Sequence, residues 1–196
     1  MSFAVRLQPE RQAYWPDERL VSECLKRNEQ AWAALIDKYK NLIYSIAIKL
    51  GMYNEAGDIF QAVCLDLLTD LPRLREPRAL PKWLMQTSYH KCLRRRRQSE
   101  KLVPLAGDGD RDAAQGHPLP LPEDMLVELE REQMLREAIS QLSPRCGRLV
   151  RMLFFETPPR SYREIASELA LATGSIGFMR GNCLHKLKKQ LEKLGF

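Results

Sequence analysis

The sequence predicts an all-α fold: two small helical domains joined by a flexible linker. Three observations lead there. Apolar residues recur at spacings of three and four through both halves of the 196-residue chain, the period of an amphipathic helix. No stretch alternates with the two-residue period of a strand. Between the halves, residues 103–123 hold four prolines (Pro104, Pro118, Pro120, Pro122), three glycines (Gly107, Gly109, Gly116) and clustered aspartates, the composition of a linker. Apolar residues make up 44% and charged residues 29%, enough hydrophobic material for compact cores and too much for wholesale disorder. The expected boundaries are an N-terminal tail 1–16, a first domain 17–101, a linker 102–124 and a second domain 125–196.

In the first domain, Asp17 is placed to cap a helix carrying Leu20, Val21, Cys24 and Leu25, because a carboxylate can accept the unpaired amides of a first turn. A second helix opens near Glu29, with Trp32, Leu35, Ile36 and Tyr39 inward. It continues through Leu42, Ile43, Ile46 and Ala47 to Gly51. A third, about Glu55 to Leu71, turns Ile59, Val63, Leu67 and Leu68 inward until Pro72 stops it. Pro77 and Pro81 mark an irregular loop. The fourth helix starts at Pro81 or Lys82, where proline is tolerated, and runs through Trp83, Leu84 and Leu93 into Arg94-Arg95-Arg96-Arg97.

Ser161 to Gly181 fits a helix-turn-helix, in which close packing of two helices demands small or apolar residues at fixed offsets. Ile165 and Leu169 form the inner face of the first helix and Ala166 sits at the crossing. Leu171, Ile176 and Met179 complete the core. Ala170 occupies a turn position that favours positive φ, at a strain of about 1 kcal/mol. Thr173 or Ser175 can cap the second helix, whose inner residues continue as Cys183, Leu184, Leu187 and Leu191. Its outer face shows Gly177, Phe178, Gly181, Asn182, His185 and Lys186. Two glycines there permit close approach to a groove, Asn182 suits adenine or phosphate, and Phe178 suits a thymine methyl. Residues 160–193 carry seven Lys/Arg, Arg160, Arg163 and Lys186 among them, against three Glu, as phosphate contact requires.

The net charge is +6, and residues 82–101 alone hold seven basic residues against one acidic, which favours an anionic partner. Five cysteines (Cys24, Cys64, Cys92, Cys146, Cys183) are odd in number, widely spaced and without a CxxC pair. They read as reduced, mostly buried small apolar residues, with neither a disulfide framework nor a zinc site indicated. No signal-peptide core and no run near the roughly 20 residues of a membrane span is visible, so the expected location is the cytoplasm. His90, His117 and His185 are scattered and no carboxylate cluster has metal-ligand spacing. An enzyme is therefore not expected, and no metal or cofactor.

With both halves laid out, the chain resembles the extracytoplasmic-function group of sigma factors, promoter-specificity subunits of bacterial RNA polymerase in the sigma-70 family. Residues 56–68, AGDIFQAVCLDLL, look like the region-two helix with its Asp-x-x-Gln pair. The resemblance implies that Asp58 and Gln61 bind polymerase; three apart, they share one helix face. Pro81-Lys82-Trp83-Leu84 with Arg94 to Arg97 is similar to the helix that reads and melts the minus-10 element, and Arg75 to Leu80 to the loop that captures a flipped base. The implied minus-10 contacts are Arg75, Lys82, His90, Lys91, Arg94, Arg95, Arg96 and Arg97, since separated strands need cationic tracks. Residues 135–194 look like region four, which binds the minus-35 element, through Arg160, Arg163, Ser175, Gly177, Phe178, Gly181, Asn182 and Lys186.

What the resemblance implies is an alternative sigma factor that joins core RNA polymerase, contacts promoter DNA and leaves the phosphodiester chemistry to the polymerase, often under an anti-sigma partner. The chain departs from the pattern at Ala62 and Cys64, where an acidic and a large apolar residue are usual, at His90 for asparagine, and at Asn182 for arginine. Thr157-Pro158-Pro159 ahead of the helix-turn-helix is also unusual. A free-standing helix-turn-helix regulator is the alternative, and it leaves the Asp58 face and the Trp83 to Arg97 helix without a shared purpose.

Overall fold

The computed structural model describes residues 15–101 and 120–196. These contain eight α-helices and no strand, the all-α fold expected. The chain divides into two compact units between Leu126 and Val127. The tail call falls almost entirely, and the linker call mostly, outside the described residues. The last linker positions, Glu123 and Asp124, already belong to a helix.

The first unit contains α1 (Asp17–Leu25), α2 (Glu29–Lys49), α3 (Ala56–Asp70) and α4 (Leu80–Lys101). Its core holds Leu20, Val21 and Cys24 of α1, Leu35, Tyr39, Leu42, Ile43 and Ile46 of α2, and Ile59, Val63 and Leu67 of α3, as the inward stripes read from the sequence, with Leu25 half exposed at the end of α1. In α4 the buried residues are Leu84, Met85 and Cys92, whereas the expected Trp83 and Leu93 are only half-buried. Helices α2, α3 and α4 pack pairwise and α1 packs on α2. Asn28 caps α2, its Oδ1 accepting from the amides of Gln30 and Ala31 at 3.0 and 3.2 Å. Gly51, at φ +75°, takes the left-handed turn that releases the chain from α2.

Two expectations need correction. Asp17 does not cap α1, whose N-cap is Pro16 with no side-chain hydrogen bond. Its Oδ1 instead accepts from Lys38 Nζ and Tyr39 Oη of α2, both at 2.7 Å, because a cation and a phenol outbid amides already within reach of water. Leu68 is 54% exposed: it lies one position past the Val63–Leu67 stripe and has rotated outward.

The second unit holds α5 (Glu123–Ser140), whose first residues precede the division, with α6 (Pro144–Phe154), α7 (Tyr162–Glu168) and α8 (Ile176–Leu194). Ile139, Leu149, Val150, Ile165, Ala166, Ile176 and Leu187 are buried in one core, with Leu171, Met179, Leu184 and Leu191 packed against it. Ser161 and Glu164 form a capping box at the start of α7. Ala170 has φ +52°, the left-handed turn expected of it. Ala170→Gly removes the Cβ clash at some cost in unfolded-chain entropy. It is expected to stabilise the unit by roughly 0.5–1 kcal/mol, read as a rise in midpoint in thermal or urea melting; a fall would show the turn is not strained.

Two readings of the second unit are also corrected. Neither Thr173 nor Ser175 caps α8 through its side chain. A 3-10 turn, Thr173–Ser175, leads into the helix, and Ser175 Oγ donates to the carbonyl of Ala172 at 2.7 Å. Cys146 and Cys183 are not reduced thiols but a disulfide, with Cα atoms 5.3 Å apart. Their separation of 37 residues concealed it, since only the packing of α6 on α8 brings the two together.

Candidate nucleic-acid interface

The helical repeat sorts α4 into faces. Its core face is Leu84, Ser88 and Cys92. Trp83, Thr87, His90, Arg94 and Arg97 follow one another at intervals of three and four and so form a second stripe. Along it the side chains pass from half-buried at Trp83, Thr87 and His90 to exposed at Arg94 and Arg97. An aromatic, a hydroxyl and an imidazole leading into two guanidiniums can offer a stacking plane, hydrogen bonds and phosphate contacts in sequence. The sequence reading missed Thr87, whose place on the stripe was the available signal, and took Trp83, which is half-buried, for a core residue rather than a contact. Lys82 is exposed in the first turn, as are Arg75 ahead of the 3-10 turn Pro77–Ala79 and Arg96 near the end of α4.

Two of the expected DNA contacts face elsewhere. Lys91 Nζ lies 2.7 Å from Asp66 Oδ2, with both side chains largely shielded. Arg95 NH2 lies 3.2 Å from Asp58 Oδ2 on the exposed edge. Both pairs tie α4 to α3, and the exposed one, Arg95 with Asp58, contributes about 0–1 kcal/mol. Arg78 of the preceding turn pairs with Glu18 of α1 at 2.8 Å. That contact draws the Glu18 carboxyl below its ordinary range, first through the hydrogen bond from Arg78.

On α3, Asp58 and Gln61 are exposed and continue into Leu65 and Leu68, 64% and 54% exposed. The four positions lie three or four apart, hence on one face. Two leucines in water beside an acid and an amide form an apolar centre with a polar end, as a protein contact surface does. The sequence reading found the polar half only.

In the second unit, Gly177, Phe178, Gly181, Asn182 and Lys186 of α8 are all exposed, Ser175 is half-buried, and Phe178 is 75% exposed. Arg163 is exposed on α7. Arg160 is engaged by both Glu156 and Glu168, which hold its guanidinium charge and push its pKa up, chiefly through the hydrogen bond to Glu168. It fastens the segment before α7. Arg180, counted in the sequence only as one of the seven basic residues suited to phosphate, is held in place: NH1 donates to Tyr162 Oη at 3.2 Å, and Cζ stands 5.9 Å from the ring centre of Phe154. A cation is thus held beside the start of α7, on a side chain that remains exposed.

Among the described residues, no group of three or more His, Cys, Asp or Glu is placed to hold a metal ion. No described helix is long and apolar enough to cross a membrane.

The fold and these surfaces define an all-helical protein with a helix-turn-helix in its second unit and a basic helix in its first. Residues 35–101 match the sigma-70 region 2 family model, a span that takes in most of α2 and all of α3 and α4. The first unit is thus similar to sigma-70 region 2 over those residues. No curated protein matches the chain. Among solved structures it is similar to CnrH in the structure of CnrH in complex with the cytosolic domain of CnrY. Identity is 16%, coverage 90% of this chain and 97% of that one, and the TM-score 0.36.

Proposed function

We propose that the chain is an alternative sigma factor of the extracytoplasmic-function group, which binds core RNA polymerase and directs promoter-specific initiation through minus-10 and minus-35 contacts. The observation that carries this reading is the region 2 match over residues 35–101. It covers both the Asp58–Gln61–Leu65–Leu68 face of α3 and the Trp83-to-Arg97 stripe of α4. A regulator acting without polymerase has no use for the first of these. The α3 face docks on core polymerase. The α4 stripe takes the opened minus-10 strands, with Arg94 and Arg97 on phosphate and His90, Thr87 and Trp83 toward bases. The helix-turn-helix of α7 and α8 acts as region four, with Phe178 and Asn182 reading the minus-35 element between the two glycines.

The deciding experiment adds purified protein to core polymerase and measures initiation from a library of duplex promoters. Transcription from a defined subset, absent without the protein, is expected. No initiation from any member, with DNA binding retained, would sink the sigma reading in favour of a free-standing regulator.

Within this reading Arg180 is a phosphate contact positioned by Tyr162. Arg180→Ala is expected to weaken binding to minus-35 duplexes of any sequence alike and to lower the slope of log affinity against log salt by about one. Tyr162→Phe should lose part of that affinity. Replacing Phe178 instead should change which sequences bind. An Arg180 variant with the parental salt slope would remove the residue from the interface.

A further inference from the structure

Cys146 and Cys183 meet in the core of the second unit, 5% and 1% exposed, beside Leu149, Val150, Ile176 and Leu187. Cys146 lies in the first turn of α6, two residues after Pro144, in a turn that holds no acidic residue. Cys183 lies within α8, next to Asn182. Their bond cross-links α6 to the helix that carries Phe178 and Asn182. The other three cysteines, Cys24, Cys64 and Cys92, all belong to the first unit and carry free thiols. Burial pushes the thiols of Cys24 and Cys92 up to about 11, and that of Cys64 upward.

We propose that Cys146 and Cys183 are a reversible thiol–disulfide site, closed by a hydroperoxide and reopened by a dithiol, whose state sets how firmly α8 is held against α6. The chemistry favours Cys146 as the attacking sulfur. In the reduced form the unpaired amides of the first turn of α6 stabilise its thiolate, whereas Cys183, inside a helix, has no such donors. The Cys146 thiolate attacks the peroxide O–O bond and, with one proton, gives a sulfenic acid and one water, or an alcohol for an organic hydroperoxide. The Cys183 thiol then displaces the sulfenic oxygen as a second water and forms the S–S bond. Two thiols lose two electrons and the peroxide gains them. A dithiol reverses the step by exchange, leaving as its own disulfide.

The bond sits on the core side of α8 and the exposed residues Phe178, Gly181 and Asn182 on the other. It therefore controls the stiffness of the exposed face without covering it. Cys24, Cys64 and Cys92 lie outside the first turns of α1, α3 and α4 and so lack the amide donors that favour the Cys146 thiolate.

The test uses the full chain. Thiols counted in denaturant are expected to number three in the oxidised protein, five after dithiothreitol, and three again once the refolded reduced protein meets an equivalent of hydrogen peroxide. Reduction should lower a melting midpoint by about 10 °C or more and speed hydrogen exchange in α6 and α8 with α2–α4 unchanged. In Cys183→Ser, peroxide should leave a sulfenic acid that dimedone traps at Cys146; Cys146→Ser should give no adduct at Cys183. The proposal is overturned by five thiols persisting after peroxide, or by loss of Cys24, Cys64 or Cys92 thiols in place of the pair. Melting and exchange indifferent to reduction overturn it equally. Because thiol counting, melting and exchange on the unsubstituted chain decide the matter, an unfolded serine variant leaves the test intact.

Discussion

Arg94→Glu with Arg97→Glu is expected to weaken binding of the polymerase-bound protein to an opened minus-10 segment on the order of a hundredfold at moderate salt. The two arginines are exposed, three apart on α4, and in line with His90. If each neutralises one strand phosphate, losing both lowers the slope of log affinity against log salt by about 1.4 (twice 0.7) on single strands. The glutamates then add repulsion where a contact stood. Arginine and glutamate are comparable helix formers, and neither side chain is buried, so α4 should keep its helical content and melting midpoint. Arg95→Glu is the comparison: its guanidinium already faces Asp58 at 3.2 Å, so reversal there should cost DNA binding much less. The measurement is fluorescence anisotropy of a labelled minus-10 oligonucleotide over a salt series. An unchanged slope in the double variant would place the DNA track off this face of α4.

The difference between Arg94 and Arg95 also marks where sequence reasoning stopped. Most of the inward stripes of α1 to α3 could be read from spacings of three and four, because burial on one helix face is a local pattern. In α4, where polar residues interrupt the stripe, Met85 and Cys92 took the core places expected of Trp83 and Leu93. The Ala170 turn and the core of the helix-turn-helix could be read likewise. Partners across helices could not. Nothing in the spacing of Lys91, Arg95 or Arg160 reveals that Asp66, Asp58 and the Glu156–Glu168 pair lie opposite them. A run of basic residues therefore looks uniform in sequence and divides in space into structural pairs and exposed cations. Asp17 shows the same effect: its position fits a cap, and a lysine and a tyrosine more than twenty residues on take its carboxylate instead. The disulfide is the extreme case, since a pair 37 residues apart leaves no local trace. What was legible of the site was accordingly its location and sign, and what was not was which side chains are already committed.

Leu65→Glu with Leu68→Glu carries the other large expectation, the loss of core polymerase association by about a hundred- to a thousandfold with the fold intact. Both leucines are more than half exposed, so the free protein gains nothing from them, and such surface substitutions usually stay within about 0.5 kcal/mol of parental stability. Covering each in an interface is worth roughly 1.5–2 kcal/mol, and forcing carboxylates into that place adds desolvation. Together these give about 3–4 kcal/mol, or two to three decades in Kd. Asp58 is a poorer probe of the same face, because its reversal also releases Arg95 of α4 and so alters a candidate DNA contact. Under the proposed function the leucines face polymerase and not DNA, which makes the expected signature selective: weak assembly with core enzyme, measured by titration against labelled polymerase, beside parental affinity of the isolated chain for DNA. Parental assembly would show that α3 presents its leucines to something other than core polymerase, and a matching loss of DNA affinity would mean that the α3 and α4 faces do not act separately.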